Sequence, residues 1–443
     1  MYEQPRKLPA DLRADANERI LTRTQEGTVK TKGIIWFLLA CSVVASAQEV
    51  KVRKAWVRTF PRPTLGIFPD NLGNIAAASD DRNGPFLFLL DSRGRTLARA
   101  RIPIPLSRVG ADSSGRIFVV GDELTTAIHG AAFAPLLANT LWVRKADLTN
   151  AGSSPSAVAS AQFLVPDETG GFYTFGHYDQ GVFVSQFTAG DAPWVLFRAG
   201  FGTPTRKPSS AARSPSGDVF WIAGSLLADT LPSPTIYKYS PATMKVTETA
   251  PNWLPGGGSS FFSAATCDSG GNLILVGWHT DDVRSRYGRC HIMKMDPQLN
   301  VLWQAVHGPL DGGPGTRLNV ARAVAVDAND DIVMTGDSGT VKYSPTGEIV
   351  WEAPITGAMT FNLDRFGSVL LSQPVERTPG STESEITKLN ADGTLRWQIR
   401  FHDGRSSNVP GSLVLDDDGN VYLATSSVDS SAIVKFVERG GAR

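Results

Sequence analysis

The sequence predicts an all-β protein built from eight copies of a four-stranded antiparallel sheet, with seven copies as the alternative. Two recurring turn signatures and many short segments of β-branched and aromatic residues indicate this architecture. The 443-residue chain contains 43 Gly and 28 Pro, so turn-forming residues are frequent throughout. Its 43 basic residues balance its 43 acidic residues, and this balance provides no basic face for binding nucleic acid.

The first signature marks the turn between the first and second strands of each copy. It consists of an acidic residue, two variable positions and Gly or a substitute, followed by a strand. The copies lie about 49 residues apart on average, which fits a four-stranded repeat. We interpret the acidic side chain as the acceptor of a backbone N–H that closes the turn, rather than as a calcium ligand. The signatures begin at Asp70, Asp112, Asp167, Ser214, Asp268, Asp327, Asp364 and Asp416.

The second signature is a Lys followed nine residues later by a Trp, with a turn between them. The fixed offset predicts a rigid hairpin made by the third and fourth strands of a copy. We expect the Lys to bury its aliphatic stem and to form an ion pair or hydrogen bond with the neighbouring copy. The pairs are Lys294 with Trp303, Lys342 with Trp351, and Lys388 with Trp397, while Lys238 and Lys435 lack the Trp.

The two ends of the repeated region predict how the set of sheets closes. The last copy contains its third strand but stops before a fourth, whereas residues 54–60 look like a fourth strand without a partner. We therefore predict that this N-terminal strand completes the last sheet, which would remove exposed strand edges.

Residues 29–47 have the layout of a secretory signal peptide. Lys30 and Lys32 precede an apolar run at residues 34–44, and a small-residue cleavage site ends at Ala47. The apolar run is too short to span a bilayer, which needs ~20 residues. We interpret residues 1–28 as an extension upstream of the true start of translation. Residues 48–443 then form a single propeller domain, exported to the periplasm or the cell exterior.

The cysteines offer one alternative and one prediction. The Leu-Leu-Ala-Cys string ending at Cys41 resembles a bacterial lipobox, in which that Cys would be lipidated. Cleavage after Ala47 instead leaves Cys267 and Cys290 in the mature chain. We predict that these two are not bonded to each other, because the expected strands place them ~20 Å apart.

Together the two signatures resemble those of bacterial extracytoplasmic β-propeller repeat proteins, the SBBP repeats and the related PQQ-like propeller families. This resemblance covers nearly all of residues 48–443 and implies eight blades, each blade being one sheet. Thr346-Gly347 followed by Trp351 also resembles the tryptophan-docking motif of eight-bladed quinoproteins, which implies a Trp packed between adjacent blades. Tyr343 stands where that motif has Asp, and the adjacent Cys pair of such dehydrogenases is absent from the sequence, so the resemblance implies the fold without a cofactor. The residues that carry it are Ala325-Val326-Asp327, Gly271-Asn272, Gly419-Asn420, Lys342-Tyr343-Ser344-Pro345-Thr346-Gly347 and Trp351.

The candidate binding residues lie in the connections that vary most in length. Connections between the second and third strands of a blade emerge at the same end as those between successive blades. Both kinds are long here, as at residues 122–140, 278–289 and 373–385. Their aromatic and charged side chains suit contacts with a protein or a glycan. These residues are Phe201, Arg206, Trp253, Trp278, His279, Arg284, Arg286, Tyr287, Arg317 and His402.

We expect a monomeric binding or scaffold protein, and the sequence assigns no catalytic residue, metal or cofactor. The Asp-Ser-Gly-Gly string at residues 268–271 coincides with a repeated turn, so we interpret Ser269 as a turn residue and not as a nucleophile. The six His residues lack the spacing typical of a zinc site. Two alternatives remain: a propeller enzyme such as a lactonase, lyase or quinoprotein-like oxidoreductase, and a lipid-anchored scaffold of outer-membrane assembly.

Overall fold

Every regular element in the described part of the chain is a β-strand, because short β-branched and aromatic segments alternate with turn formers. In several strands before residue 209 only the backbone is described. The structure is a computed structural model that describes residues 51–62, 64–69, 73–81, 84–101, 108–111, 116–122, 138–144, 150–156, 160–167, 172–178, 181–187, 194–200, 206–225, 234–250, 259–280, 288–308, 319–404, 407–427 and 430–439.

These strands form four-stranded antiparallel sheets, numbered 1 to 8 along the chain, with strands A to D in each. In the order A to D, sheets 1 to 4 contain β2 (Thr64–Pro69), β3 (Ile75–Asp81), β4 (Gly84–Leu90) and β5 (Thr96–Arg101); β6 (Arg108–Ala111), β7 (Arg116–Asp122), β8 (Ala138–Arg144) and β9 (Asn150–Ser156); β10 (Ser160–Pro166), β11 (Phe172–Tyr178), β12 (Gly181–Phe187) and β13 (Trp194–Gly200); and β14 (Arg206–Arg213), β15 (Val219–Ser225), β16 (Thr235–Ser240) and β17 (Lys245–Thr249). Sheets 5 to 7 contain β18 (Ser259–Cys267), β19 (Leu273–Thr280), β20 (Arg289–Met295) and β21 (Val301–His307); β22 (Ala321–Val326), β23 (Ile332–Gly336), β24 (Gly339–Tyr343) and β25 (Ile349–Ala353); and β26 (Thr360–Leu363), β27 (Val369–Thr378), β28 (Ser381–Leu389) and β29 (Leu395–Phe401). Sheet 8 contains β30 (Val409–Leu415), β31 (Val421–Ser426), β32 (Ser431–Arg439) and, as strand D, β1 (Lys51–Phe60).

The fourth strand of sheet 8 therefore comes from far earlier in the chain than its other three strands. β1 pairs antiparallel with β32, with Trp56 opposite Lys435 and Phe60 opposite Ser431. This is the pairing that the sequence predicts for residues 54–60.

The A strands connect the sheets to one another. Each A strand contacts the A strand of the next sheet, from β2 through to β30, and β30 in turn contacts β2. Gln48–Arg443 forms one compact unit. Among the described residues, no helix has the length and hydropathy that crossing a membrane requires.

The core lies between neighbouring sheets rather than on one face of each. Ile274 and Ile292 of sheet 5 pack in one apolar cluster with Ile332 and Met334 of sheet 6. All five residues of β23 are buried, so this strand is covered on both faces. The inner strands consequently lack the alternation of a half-exposed sheet, as their sequences predict.

In sheets 5 to 8 the acidic residue of the A–B turn closes its own turn, as predicted. The Oδ1 atom of Asp268 accepts the N–H of Asn272 at 2.8 Å, and the Gly271 N–H donates to the Asp268 carbonyl at 3.0 Å. Ser269 lies inside this turn and donates its hydroxyl to Asp330 of sheet 6. The Asp-Ser-Gly-Gly string is thus a structural turn.

The recurring lysine of strand C binds the same acidic residue, which corrects its predicted partner. Lys294 Nζ lies 2.8 Å from Asp268 Oδ2, and Lys342 Nζ lies 2.8 Å from Asp327 Oδ2, with all four side chains buried. The pair forms within one sheet because the A–B turn and the end of strand C lie at the same end of that sheet. The predicted contact with the next sheet is made in addition, since Lys294 also donates to the Pro345 carbonyl at 3.1 Å.

The tryptophans of strand D pack onto the C–D turn of the next sheet, as the docking motif implies. Trp303 donates its indole N–H to the Pro345 carbonyl at 3.0 Å and lies flat against Gly347. A Cβ atom at Gly347 would come within 2.8 Å of the indole, and its φ of +91° also favours glycine. Trp351 makes the same ring contact with Gly393 of sheet 7.

Both cysteines of the described region are free, which confirms the prediction that they are not bonded to each other. Cys267 lies opposite Leu273 at one end of β19, and Cys290 lies opposite Trp278 near its other end. Burial raises the pKa of the Cys267 thiol to about 12, so this side chain is neutral and unreactive at physiological pH.

Candidate functional site

The two ends of the sheets carry connections of different kinds. The A–B and C–D connections define the short-turn end, and nearly all are four or five residues long, as at 268–272 and 344–348. The B–C and D–A connections define the long-connection end. The longest of them are residues 123–137, 226–234, 250–258, 281–288 and 308–320. A rigid scaffold with variable connections at one end is the usual arrangement of binding proteins.

Three of the ten predicted site residues have described side chains: Trp278, His279 and His402. Arg206 begins β14, where only its backbone is described. Phe201, Trp253, Arg284, Arg286, Tyr287 and Arg317 lie outside the described residues.

Trp278 and His279 belong to a strand, which corrects their assignment to a loop. β19 continues to Thr280 because its pairing with both neighbouring strands continues, and His279 lies opposite Ser260 on one side and Arg289 on the other. His279 is only 1% exposed, so it cannot contact a partner at the surface. Trp278 is half-buried and stacks on Phe261 with 6.3 Å between ring centroids.

His279 is part of a buried polar cluster near the long-connection end of sheet 5. Its Nδ1 atom lies 2.9 Å from the Ser260 hydroxyl, and its ring centroid lies 5.5 Å from that of His291. His291 contacts Gln304 through Nε2 at 3.3 Å and stacks on Phe262. Sequence analysis missed Ser260, His291 and Gln304, since strand pairing alone brings them together.

The electrostatics of this cluster do not suit acid–base chemistry at neutral pH. Burial, together with the neighbouring His279 ring, lowers the pKa of His291 to about 3. His291 is therefore neutral in the folded protein. Ser260 is 4% exposed, which leaves its hydroxyl out of reach of a substrate. The cluster holds strands together and offers no accessible nucleophile or base.

Sheet 7 carries a projecting hairpin where the sequence predicts a long loop at residues 373–385. β27 and β28 remain paired as far as Thr378 and Ser381, so only Pro379 and Gly380 form the turn. We call residues 373–385 the arm. Its tip, residues 376–380, is exposed.

The D–A connection of the same sheet holds the arm in place. Thr382 and Ser407 share a hydrogen bond between hydroxyls at 2.7 Å, and the N–H of Asn408 donates to the Thr382 carbonyl at 3.0 Å. Arg377 on the arm lies 3.1 Å from Nδ1 of His402. The structure thus brings the predicted His402 together with Arg377, which sequence analysis missed.

Charged pairs fix the base of the arm. Glu385 accepts hydrogen bonds from Gln373 and Arg400, both at 2.8 Å. Arg400 also reaches Glu383 at 3.3 Å. The arm therefore presents its exposed tip from a rigid base, a geometry suited to contact with a large partner. Among the described residues, no group of three or more His, Cys, Asp and Glu side chains is arranged to hold a metal ion.

Comparisons with known proteins identify the fold. No family model matches the chain, and no curated protein matches it in sequence. The solved structure of the Dos1 propeller aligns with a TM-score of 0.54 at 8% identity, over 86% of this chain and 94% of that one. This chain has a β-propeller fold.

Two enzyme structures are also similar to this propeller. Dipeptidyl peptidase 4 of Porphyromonas gingivalis aligns with a TM-score of 0.51 at 10% identity, over 84% of this chain. The chain spans 57% of the length of that enzyme. A streptogramin B lyase aligns with a TM-score of 0.45 at 13% identity, over 88% of this chain and 98% of the lyase. At such identities the likeness extends to the fold alone.

Proposed function

We propose that the chain is an exported, monomeric, eight-bladed β-propeller that binds a protein or glycan partner through its long-connection end. The contrast between the two ends carries this proposal. The short-turn end consists of near-identical turns bonded to one another, whereas the long-connection end carries varied connections and the exposed arm. Binding surfaces on rigid scaffolds are usually built from such variable connections.

The local chemistry favours binding over catalysis. The Ser260–His279 pair has the contact distance of a nucleophile and its base, but both side chains are buried. The accessible groups at this end include Glu376 and Arg377 on the arm, which suit polar contacts with a partner.

The partner can be sought with the intact chain as bait. Extracytoplasmic fractions of the native host and a glycan array are the two sources of ligand. Replacing residues 375–383 by an Asn-Gly turn shortens the arm and leaves its base intact. We expect this variant to lose the partner, and a charge reversal at the short-turn end, Glu348→Lys, to retain it. Equal binding by both variants, or turnover of a small substrate without any partner, contradicts the proposal.

The eight-bladed ring has its own support and its own test. Contacts run from β2 through every A strand to β30 and back to β2, and β1 would serve as the closing strand of blade 8. Deleting Lys51–Phe60 is expected to expose the edge of β32 and to cause aggregation or loss of cooperative unfolding. A deletion variant as soluble and as stable as the intact chain contradicts this closure.

Export and the extracytoplasmic repeat family rest on the sequence signatures. Residues 29–47 have the layout of a signal peptide, and the paired turn signatures resemble SBBP and PQQ-like propeller repeats. N-terminal sequencing of the exported protein tests the address. A first residue at Gln48 supports cleavage after Ala47, whereas a lipid on Cys41 assigns the anchored form.

A further inference from the structure

The contact between sheets 7 and 8 at the short-turn end differs from the others described there. Between sheets 5 and 6, the carbonyl of Pro345 in a C–D turn accepts hydrogen bonds from both Lys294 and Trp303. Between sheets 8 and 1, the carbonyl of Ser92 accepts the indole N–H of Trp56 at 2.9 Å. A C–D turn of the next sheet therefore covers each of these positions.

Sheet 8 has no C–D turn to offer to sheet 7. Its strand D is β1, so no hairpin joins it to β32. The side chain of Glu438 in β32 replaces the missing carbonyl and accepts from Lys388 at 2.6 Å. Arg396 also contacts Glu438, at 2.9 Å. Burial alone would raise the pKa of Glu438, but Lys388 and the neighbouring Trp397 and Arg396 side chains outweigh it and lower the pKa.

The absent turn leaves a cavity of about 400 Å³ between sheets 7 and 8, within the size range of ligand sites. We call it the missing-turn cavity. Its walls include Phe366, Leu415, residues 416–420 and Glu438.

The glycines of the A–B turns support this origin of the cavity. A Cβ atom at Gly271 would meet Ser214 of the preceding sheet at 3.6 Å and Pro297 of its own C–D turn at 3.9 Å. At Gly419, the corresponding position of sheet 8, a Cβ atom would meet nothing within 4 Å. The space that a turn fills in sheet 5 is thus open in sheet 8.

The charge of the lining indicates what the cavity would accept. Five carboxylates line it against three cationic side chains. Lys388 and Arg396 already contact Glu438, and Lys388 also lies 3.4 Å from Asp364. Asp417 and Asp418 lie exposed at the rim. The excess of negative charge favours a cationic ligand.

We propose that the missing-turn cavity binds a glycine-containing turn of a partner polypeptide that carries arginine or lysine. The chain itself shows that such a turn fits against a neighbouring sheet. The C–D turn of sheet 1, at residues 91–95, has the sequence Asp-Ser-Arg-Gly-Arg and packs on Trp56 through Gly94. This site lies at the end opposite to the proposed long-connection surface and does not depend on it.

The experiment titrates the full chain with a disulfide-cyclised peptide containing Asp-Ser-Arg-Gly-Arg, followed by calorimetry. We expect saturable binding that weakens as salt is added. Replacing both rim carboxylates, Asp417→Asn with Asp418→Asn, should weaken binding about tenfold, a change of ~1.4 kcal/mol. Glu348→Gln removes an exposed carboxylate elsewhere at the same end and should leave the affinity unchanged. A control peptide with Ser in place of both Arg residues should not bind.

Three results would overturn the proposal. The first is the absence of saturable binding by the basic peptide. The second is equal affinity for the intact chain and for the double Asn variant, provided that both melt at the same temperature. The third is binding only after residues 440–443 are deleted, which would assign the cavity to this chain's own C-terminal residues.

Discussion

The short-turn end and the long-connection end of the same sheets differ in how their polar groups are used. At the short-turn end, Asp268 and Lys294 bond to each other, and Trp303 bonds to the next sheet. At the long-connection end, the B–C connections range from residues 337–338 in sheet 6 to residues 123–137 in sheet 2. The repeated motif therefore marks where the propeller holds its sheets together. Variation at the other end costs the fold little, which leaves that end available for binding.

The largest effect is expected from breaking a buried ion pair at the short-turn end. Asp268→Ala leaves the ammonium of Lys294 buried without its carboxylate, and both side chains are less than 5% exposed. We expect a loss of ~3–5 kcal/mol in the free energy of unfolding, measured by urea denaturation. The exposed Glu348→Ala should change it by less than ~0.5 kcal/mol.

A double variant tests the cause of that loss. Replacing the pair by apolar residues, Asp268→Leu with Lys294→Met, removes both charges and should cost less than Asp268→Ala alone. A double variant that is less stable than the single one would mean that the turn geometry, and not the unpaired charge, carries the effect.

The next effect concerns the packing of tryptophan between sheets. Trp351→Ala removes a ring that packs on Gly393 and an indole N–H bonded to the Ala391 carbonyl at 2.9 Å. We expect a loss of ~3 kcal/mol in the free energy of unfolding. Val350→Ala, at an exposed neighbour in the same strand, should cost less than ~0.5 kcal/mol. Similar losses in the two variants would show that Trp351 does not join the sheets.

The pH dependence of stability should separate the two ends. His291 has a folded-state pKa of about 3, whereas an unfolded histidine titrates near ~6.5. The unfolded chain therefore binds a proton that the folded chain does not, and stability should fall as the pH falls from ~6.5 towards 3. His291→Gln should flatten this part of the profile. A profile that His291→Gln leaves unchanged contradicts the burial of a neutral imidazole.

The short-turn end should lose stability at lower pH. Burial alone would raise the pKa of Asp268, but hydrogen bonds from Lys294 and Asn272 outweigh it and lower the pKa. The stability that Asp268 contributes is thus present above the ordinary carboxyl pKa of ~3.9 and is lost as the pH falls through the lowered folded-state value. Asp268→Ala should remove this acid-side loss and leave the loss between ~6.5 and 3 from His291 in place.

Much of the fold could be predicted because its signals are local. An Asp closes a turn through a neighbouring N–H, as Asp268 does with Asn272, so the residues that make the contact are adjacent in the sequence. The missing fourth strand of the last copy likewise predicts the role of β1. The partner of Lys294 could not be predicted in the same way, since Asp268 reaches it only through strand pairing.

The candidate site was predicted less well because its residues follow no repeated pattern. His279 was expected in a loop, and continued pairing of β19 makes it a buried strand residue instead. The arm did have a signal, since Pro379-Gly380 stands between two segments of strand-forming residues. Reading that signal as a hairpin turn would have placed Arg377 near the D–A connection that contains His402.

The smallest effect on stability should come from the exposed pair on the arm. Arg377 and His402 contact each other at the surface, so Arg377→Ala and His402→Ala should each change the free energy of unfolding by less than ~1 kcal/mol. Both variants should nevertheless weaken binding of the partner isolated with the intact chain. Arg322 forms an exposed pair with Asp337 at 2.9 Å at the same end, outside the arm, and Arg322→Ala should leave both stability and binding unchanged. A loss of more than ~2 kcal/mol in Arg377→Ala would place this pair among the contacts that hold the sheets together, and unchanged binding would remove the arm from the partner surface.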